Sequence, residues 1–548
     1  MVAAVTAPEL AFGSEIVRSH RDRGFWSDET LSDIVERWAE QSPDRTVLID
    51  AETQVTWAEL RDRAYRVATA LRARGLVAGD RVAVQLPNWH EFVVLYVALA
   101  RVGAILVPIM PVYRHADLRH MLGVSGATTL AITPTYRGFD HLAMARELCS
   151  ELSDLTHLVV VRNDGQVLAA GETSLPELER GDGRPSDAEL GPKPSADDGH
   201  IIGFTSGTEA GAKGCFHTFN TYAFTPRAQI VLYDFGTEDC ELTPSPITHS
   251  AGLAGGLLKP MFAGGSVCFM EQWDPAAALD LVDRHGCTQA TGATAFVNGL
   301  ISAYDPGRHH ASALRYFLCG GAPVPSELVA QVDETLPNCR VIPCFGQTEG
   351  LLVTSCTPED PVEKLSQSDG RPLPGVELEI RGEDGGRLGP GEVGEIVYRS
   401  PGMMLEYWGD EQATAAATTD DGWRRTGDLG RIDDDDYLRV TGRIKEVIIR
   451  GGLNISTREV EEALVQHPLV AAAAVIGYPD PKLGERACAF VVAPGEPPTL
   501  DDLARYLLEE QGFAKPKLPE RLELIDALPM TLTGKVQKFL LRQQLDRL

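Results

Sequence analysis

Positive charge is what this sequence most lacks. It sets 50 Lys and Arg against 78 Asp and Glu, a formal net charge of −28. Nucleic acid and anionic membranes reward clustered Lys and Arg, so this balance argues against both as partners. Any anion site must then be locally basic against an unfavourable background. The ten cysteines, scattered from Cys149 to Cys488, include no C-x-x-C pair and no paired histidine motif nearby. That favours reduced thiols over a disulfide framework or a zinc site. Long apolar runs are missing too, and the longest strongly apolar helix candidate, residues 92–100, is far too short to cross a bilayer. Residues 1–8 lack the basic n-region of a signal peptide, and Asp546-Arg547-Leu548 is not a Ser-Lys-Leu address. A soluble, cytoplasmic protein with no stable membrane association is expected. There is no internal repeat. What is present is 43% hydrophobic residue content in 548 residues, enough chain for roughly three or four domains' worth of core.

Taken in order, residues 1–25 show no sustained period and read as an extension. A helical pattern from Leu31 leads to a strand at 46–49, then an amphipathic helix over 57–74 ending at Gly75. A strand at 81–86, a helix at 89–102 stopped by Gly103, and a strand at 105–107 give the βαβ signature of a largely parallel sheet. The alternation recurs at 128–132 and 158–161. Residues 163–199, rich in Gly, Pro, Asp and Glu, read as a connection. Beyond them, strands are expected at 242–246, 266–270, 288–291, 316–319 and 340–343, and helices at 253–262 and 275–284. After Asp369 a β-alternating pattern at 377–380 and 394–399 suggests a smaller β-rich subdomain. After Gly442 a compact tail of about a hundred residues has its own strands and helices. The expected fold is α/β: a large N-terminal domain over 1–442, with parallel-rich sheets and the β-rich subdomain, and a small α+β C-terminal domain over 443–548.

Residues 205–214, Thr-Ser-Gly-Thr-Glu-Ala-Gly-Ala-Lys-Gly, follow the apolar Ile201-Ile202-Gly203-Phe204. Glycines there let backbone N–H groups close around an anion, hydroxyls add donors, and Lys213 brings a cation to phosphate oxygens. The Walker spacing G-x-x-x-x-G-K-[ST] is not met, since Gly214 and Cys215 follow Lys213. Four more stretches join it: Cys344-Phe345-Gly346-Gln347-Thr348-Glu349, Thr426-Gly427-Asp428, Gly442-Arg443-Ile444-Lys445-Glu446 before Gly451-Gly452, and the segment 528–535 ending in Lys535. In this order and at this spacing the chain resembles the adenylate-forming superfamily of acyl- and aryl-CoA synthetases, adenylation domains and luciferases. The resemblance runs from about residue 30 to the C-terminus.

The resemblance implies an AMP-forming acid–thiol ligase whose small molecules are ATP, a carboxylic acid and CoA, with Mg²⁺. Thr205, Ser206, Gly207, Thr208 and Lys213 would embrace the triphosphate. Gly320, Gly321 and Ala322 would line the adenine slot, with Phe345 and Gly346 flanking the ring. Thr348 would contact the phosphate, and Glu349 with Thr205 would hold Mg²⁺ as hard oxygen ligands. Asp428, supported by Arg443, would accept from the ribose hydroxyls. Lys535 would offset the repulsion between two anions as carboxylate attacks phosphorus. Lys445 stands where the family has its hinge, about which the C-terminal domain would be mobile. His249, Gly292, Ala293 and Thr294 would border the acid pocket, small and apolar without a deep charge.

Two departures bear on this. Glu209 and Ala210 replace the usual Thr-Gly of the loop and Ala212 its proline, which sets a carboxylate beside a triphosphate. No aspartate stands near His249 to pair with a substrate ammonium, which argues against an amino acid. Alternatives that keep the first half-reaction are a nitrite-activating diazotase and a carrier-protein or amine ligase. A catalytically silent nucleotide-binding homologue is the reading from another class. The oligomeric state, homodimer included, stays open.

Overall fold

The computed structural model describes residues 8–163, 165–205, 211–322, 324–531, 535–545 and 547. Among these, the strands form a nine-stranded and an eight-stranded sheet, a four-stranded antiparallel sheet, and a five-stranded sheet in the C-terminal region. The two large sheets are parallel through their centres. Gln289–Gly292, Tyr316–Cys319 and Arg340–Gln347 run side by side in the first, and Arg81–Gln85, Ile105–Pro108 and Thr129–Ile132 in the second. This is the expected α/β architecture.

The core explains why the two sheets belong to one unit. The helix His90–Val102 is buried at all thirteen positions, as a helix apolar around most of its circumference must be. It joins the helix Trp57–Ala73 and residues of both sheets, such as Val47, Val82, Leu106 and Val267, in one apolar cluster. Its left-handed C-cap is Gly103, at φ 83°, where a Cβ would come within 3.2 Å of Ala78 and Pro194. The polar groups on this buried helix are paired: Arg162 bonds Glu91 and Asp50, each at 2.8 Å, and His90 Nδ1 lies 2.9 Å from Asp50. Asp50, His90 and Glu91 bring ligand atoms within 4.8 Å of one another, but the Arg162 guanidinium already pairs both carboxylates, so they form an ion-paired joint between the sheets.

Three expectations need correction. Residues 1–25 are not a bare extension: Pro8–Phe12 and Ser14–Asp22 are helices, and Val17 is buried. The signal was hidden because most of the second helix faces solvent. The connection 163–199 contains a sheet-edge strand, Glu172–Ser174, and two one-turn helices, each capped by a serine. The helix expected at 253–262 is a π-helix over Gly252–Leu258 that runs into a short α-helix, Lys259–Ala263. Glycine is required within it, since a Cβ on Gly252 would fall 2.2 Å from the Pro246 carbonyl oxygen and one on Gly256 2.7 Å from Thr243.

Beyond Gly442 the tail builds a separate core around Ile448, Val475, Ala489 and Leu503. It is fastened to the large domain by the helix Thr457–Val465. Arg439 reaches Glu462 of that helix at 3.1 Å, where Arg458 of the same helix holds the carboxylate at 2.8 Å, and Ser456 Oγ donates to the Thr441 carbonyl at 2.6 Å. Among the described residues no helix is long and apolar enough to cross a membrane.

Candidate active site

The glycine-rich segment hangs from a hairpin. Gly199–Phe204 pairs antiparallel with Gly214–Thr218, and the ladder ends at Phe204 opposite Gly214. The neck is closed twice: Thr205 N–H donates to the Lys213 carbonyl at 3.0 Å, and Lys213 N–H donates to Thr205 Oγ1 at 3.2 Å. Ser206, Gly207, Thr208 and Glu209 lie outside the described residues. Lys213 places its ammonium 4.7 Å above the ring of Tyr407, whose hydroxyl donates to Glu349 Oε1 at 2.7 Å.

The carboxylate motif is folded against the same hairpin. At the end of Arg340–Gln347 the chain doubles back to Leu351–Ser355, which only glycine allows at 346: a Cβ there would fall 1.9 Å from the Leu351 carbonyl oxygen. Thr348 packs its methyl towards Gly203, 3.3 Å from where a Cβ would stand. His217, on the return strand, lies with Nε2 3.0 Å from the Thr348 carbonyl, and burial lowers its pKa to about 4, so a neutral ring donates there. Phe345 is half-buried against the four-stranded subdomain.

The third wall comes from that subdomain. Asp428 is buried, with Oδ1 2.8 Å from Arg443 Nε and Oδ2 accepting from Gln347 Nε2 at 2.7 Å. Burial raises its pKa, and Arg443, Gln347 and Lys535 pull against that. Arg443 stands directly opposite in the antiparallel ladder, which fixes the pair by register.

Lys535 completes the enclosure from the C-terminal domain. Burial and then Arg443 lower its pKa, while Asp428 and Glu349 oppose the shift. Its Cε lies 3.9 Å from where a Cβ on Gly321 would stand, and Gly321 adopts φ 79°. Gly320 N–H donates to the Gly292 carbonyl at 3.1 Å, joining the turn at 320–321 to the end of the strand Gln289–Gly292, and Gly320 packs on Cys344. His249 sits within Coulombic range of Lys535, its pKa lowered to about 4 by burial first and by that ammonium second. Ala293 is buried as N-cap of the helix Thr294–Ala303, whose Phe296 ring covers Gly292. Lys535 therefore lies beside Gly321 and within electrostatic reach of Asp428, Arg443, Glu349 and His249. Lys445 stands apart, exposed in the short turn Ile444–Glu446.

Residues 35–408 match the AMP-binding enzyme family, and residues 459–535 match the AMP-binding enzyme C-terminal domain. The chain belongs to the AMP-binding enzyme family. It is 35% identical over 546 residues to a salicyl-AMP ligase / salicyl-S-ArCP synthetase of Mycobacterium tuberculosis, covering 98% of this chain and 94% of that one. It is 32% identical over 541 residues to a medium-chain fatty-acid–CoA ligase of Escherichia coli, again covering 98% and 94%. Among solved structures it resembles the anthranilate CoA ligase AuaEII in complex with anthranoyl-AMP, with a TM-score of 0.85 at 25% identity, covering 95% and 98%. As a member of the AMP-binding enzyme family, the chain is an acid ligase that forms AMP by way of an adenylate.

Sequence reading assigned no role to three residues in this family site. Gln347 lay inside a quoted motif, but its partner, Asp428, lies 81 positions away. His217 and Tyr407 left no local signal. Tyr407 occupies a two-residue strand, Glu406–Tyr407, that pairs with Cys215 and Phe216. Arg424 is a fourth oddity. It is buried beside Tyr398 and Tyr407, and its Nε and Nη1 have no hydrogen-bond partner among the described residues.

Proposed function

We propose that this protein is a carboxylate–CoA ligase that activates an aryl or medium-chain acid. The supporting observation is that Lys535 lies beside Gly321 and within electrostatic reach of Asp428, Glu349 and His249. In the first step a carboxylate oxygen bonds to the α-phosphorus of ATP, and the bond from that phosphorus to the bridging oxygen breaks, releasing pyrophosphate. Lys535 offsets the charge gathering on the α-phosphate, and Asp428 holds the ribose hydroxyls. Thr205, Ser206, Gly207, Thr208 and Lys213 hold the triphosphate; Gly320, Gly321, Ala322, Phe345 and Gly346 hold the adenine. Glu349 Oε1 is engaged by Tyr407, so its other oxygen, with Thr205, suits Mg²⁺, which would add Lewis-acid polarisation of the phosphates. In the second step the CoA sulfur bonds to the acyl carbon, AMP leaves with the C–O electron pair, and the thiol proton is lost to solvent.

The acid class rests on small residues at Gly292 and Ala293, on the lack of an aspartate near His249 in the sequence, and on relatives named for aryl and medium-chain acids. Transfer to a carrier protein is the second reading, favoured by the M. tuberculosis relative. A panel of aryl and medium-chain acids, scored for pyrophosphate release and then by mass spectrometry with and without CoA, separates the two. An acid-dependent release with no CoA thioester from any acid would leave the carrier reading.

Lys535 and Gly451-Gly452 both lie in the C-terminal domain, so one small domain must present two faces to one site. The turn at Lys445 is where we place that rotation. Proline at 445 loses little here, because the first turn of a helix leaves its N–H groups unpaired. Lys445→Pro is therefore expected to keep first-turnover pyrophosphate release and to lose most CoA-dependent product. Wild-type thioester synthesis by that variant would remove the hinge from Lys445.

A further inference from the structure

Tyr407 lies outside every motif that carries the proposed chemistry, yet it touches two of them. Its hydroxyl donates to Glu349 Oε1 at 2.7 Å, and its ring lies 4.7 Å beneath the Lys213 ammonium. The residue is 8% exposed, so the hydrogen bond is shielded from water. Its backbone is fixed on both sides. Tyr407 pairs in register with Cys215, Trp408 N–H donates to the Gly214 carbonyl at 2.7 Å, and Tyr407 N–H donates to Thr414 Oγ1 at 2.9 Å. Met404 N–H donates to the Glu349 backbone carbonyl at 2.7 Å, so the same segment holds the main chain of the residue whose side chain Tyr407 engages.

The consequences are geometric. A glutamate has three rotatable bonds, and a free one samples many positions of its carboxylate. A donor anchored on a strand selects one of them and occupies one oxygen, leaving the second for another partner. The same ring fixes how far Lys213 stands from that carboxylate, which keeps the phosphate-loop cation and the carboxylate from collapsing into a direct ion pair. A phenylalanine would keep the platform under Lys213 and lose only the grip on Glu349.

We propose that Tyr407 is a positioning residue that orients Glu349 to receive Mg²⁺ beside the triphosphate and holds Lys213 apart from it. This rests on the reading of Glu349 as the metal-facing carboxylate in the proposed function. The test is calorimetric titration of ATP, without acid, over a series of Mg²⁺ concentrations. It uses the wild type, Tyr407→Phe, Glu349→Gln and the double variant.

A hydrogen bond to a charged acceptor supports an effect of roughly tenfold. Tyr407→Phe should bind ATP as the wild type does without Mg²⁺ and lose about tenfold of the affinity that Mg²⁺ adds. The double variant should be no weaker than Glu349→Gln alone, because the hydroxyl acts only through that carboxylate. A merely structural tyrosine would lower the thermal midpoint and leave the Mg²⁺ dependence in place. Two results overturn the proposal: a Tyr407→Phe curve that overlays the wild type across the Mg²⁺ series, or losses from the two single changes that multiply in the double. A wild type whose ATP affinity ignores Mg²⁺ would instead remove the metal-facing role of Glu349, and the proposal with it.

Discussion

Lys535→Ala should slow acid-dependent pyrophosphate release by on the order of a hundredfold or more, the scale for losing one preorganised charge contact at a transition state. The lysine is enclosed, so burial and then Arg443 lower its pKa, and Asp428 and Glu349 oppose that shift. An enclosed cation acts through less water than a surface one, so its removal is felt strongly. Alanine leaves the Gly321 turn untouched, since only Cε approaches it. The variant supplied with a synthetic acyl adenylate should still make thioester at close to the wild-type rate. The two half-reactions are measured separately, by pyrophosphate release and by thioester appearance from the adenylate. If both fell together while the thermal midpoint held, Lys535 would serve both steps and the two-face account of the C-terminal domain would fail.

Lys259→Met should destabilise the N-terminal domain by about 3 kcal/mol or more, the usual cost of leaving a buried charge without its partner. Lys259 Nζ lies 2.8 Å from Glu241 Oε2, and both side chains are fully buried. Gln289 Oε1 accepts from the lysine at 2.9 Å, and Thr291 donates to the other carboxylate oxygen at 2.7 Å. This network ties the helix after the π turn to the strand that ends at Gly292.

Burial raises the pKa of Glu241 even with Lys259 present. A carboxyl whose folded pKa is raised contributes its stability below the unfolded value and loses it as pH rises through the folded one. Without the lysine the folded pKa climbs further, so the defect of Lys259→Met should be full at pH 8 and shrink towards pH 5. Lys259→Met combined with Glu241→Gln should recover most of the loss at pH 8, because no charge is then buried. Thermal midpoints at the two pH values decide this. A defect equal at both, or a double variant no better than the single, would mean that Lys259 acts by packing alone.

The sequence by itself determined the α/β architecture and the family. The strand–helix–strand alternation from 81 to 107 is a local pattern, and periodicity reports which residues a chain can bury wherever the partner face comes from. The motifs were legible for a similar reason. Glycines at 320, 321 and 346, an aspartate after Gly427 and a lysine in a glycine-rich turn are choices each dictated by the backbone or the charge they serve. Tertiary structure alone decided what those residues touch. Asp428 meets Gln347 across 81 positions, and Tyr407 meets Glu349 across 58, through strand pairings and turns that no short window of sequence encodes. The π turn at 252–258 was equally hidden, because glycine and leucine satisfy an α-helical period just as well. The packing that requires glycine at 252, against the Pro246 carbonyl, likewise exists only in the folded chain. Periodicity records which side of an element is apolar, whereas contacts between elements depend on register and close approach, which exist only once the sheets have packed.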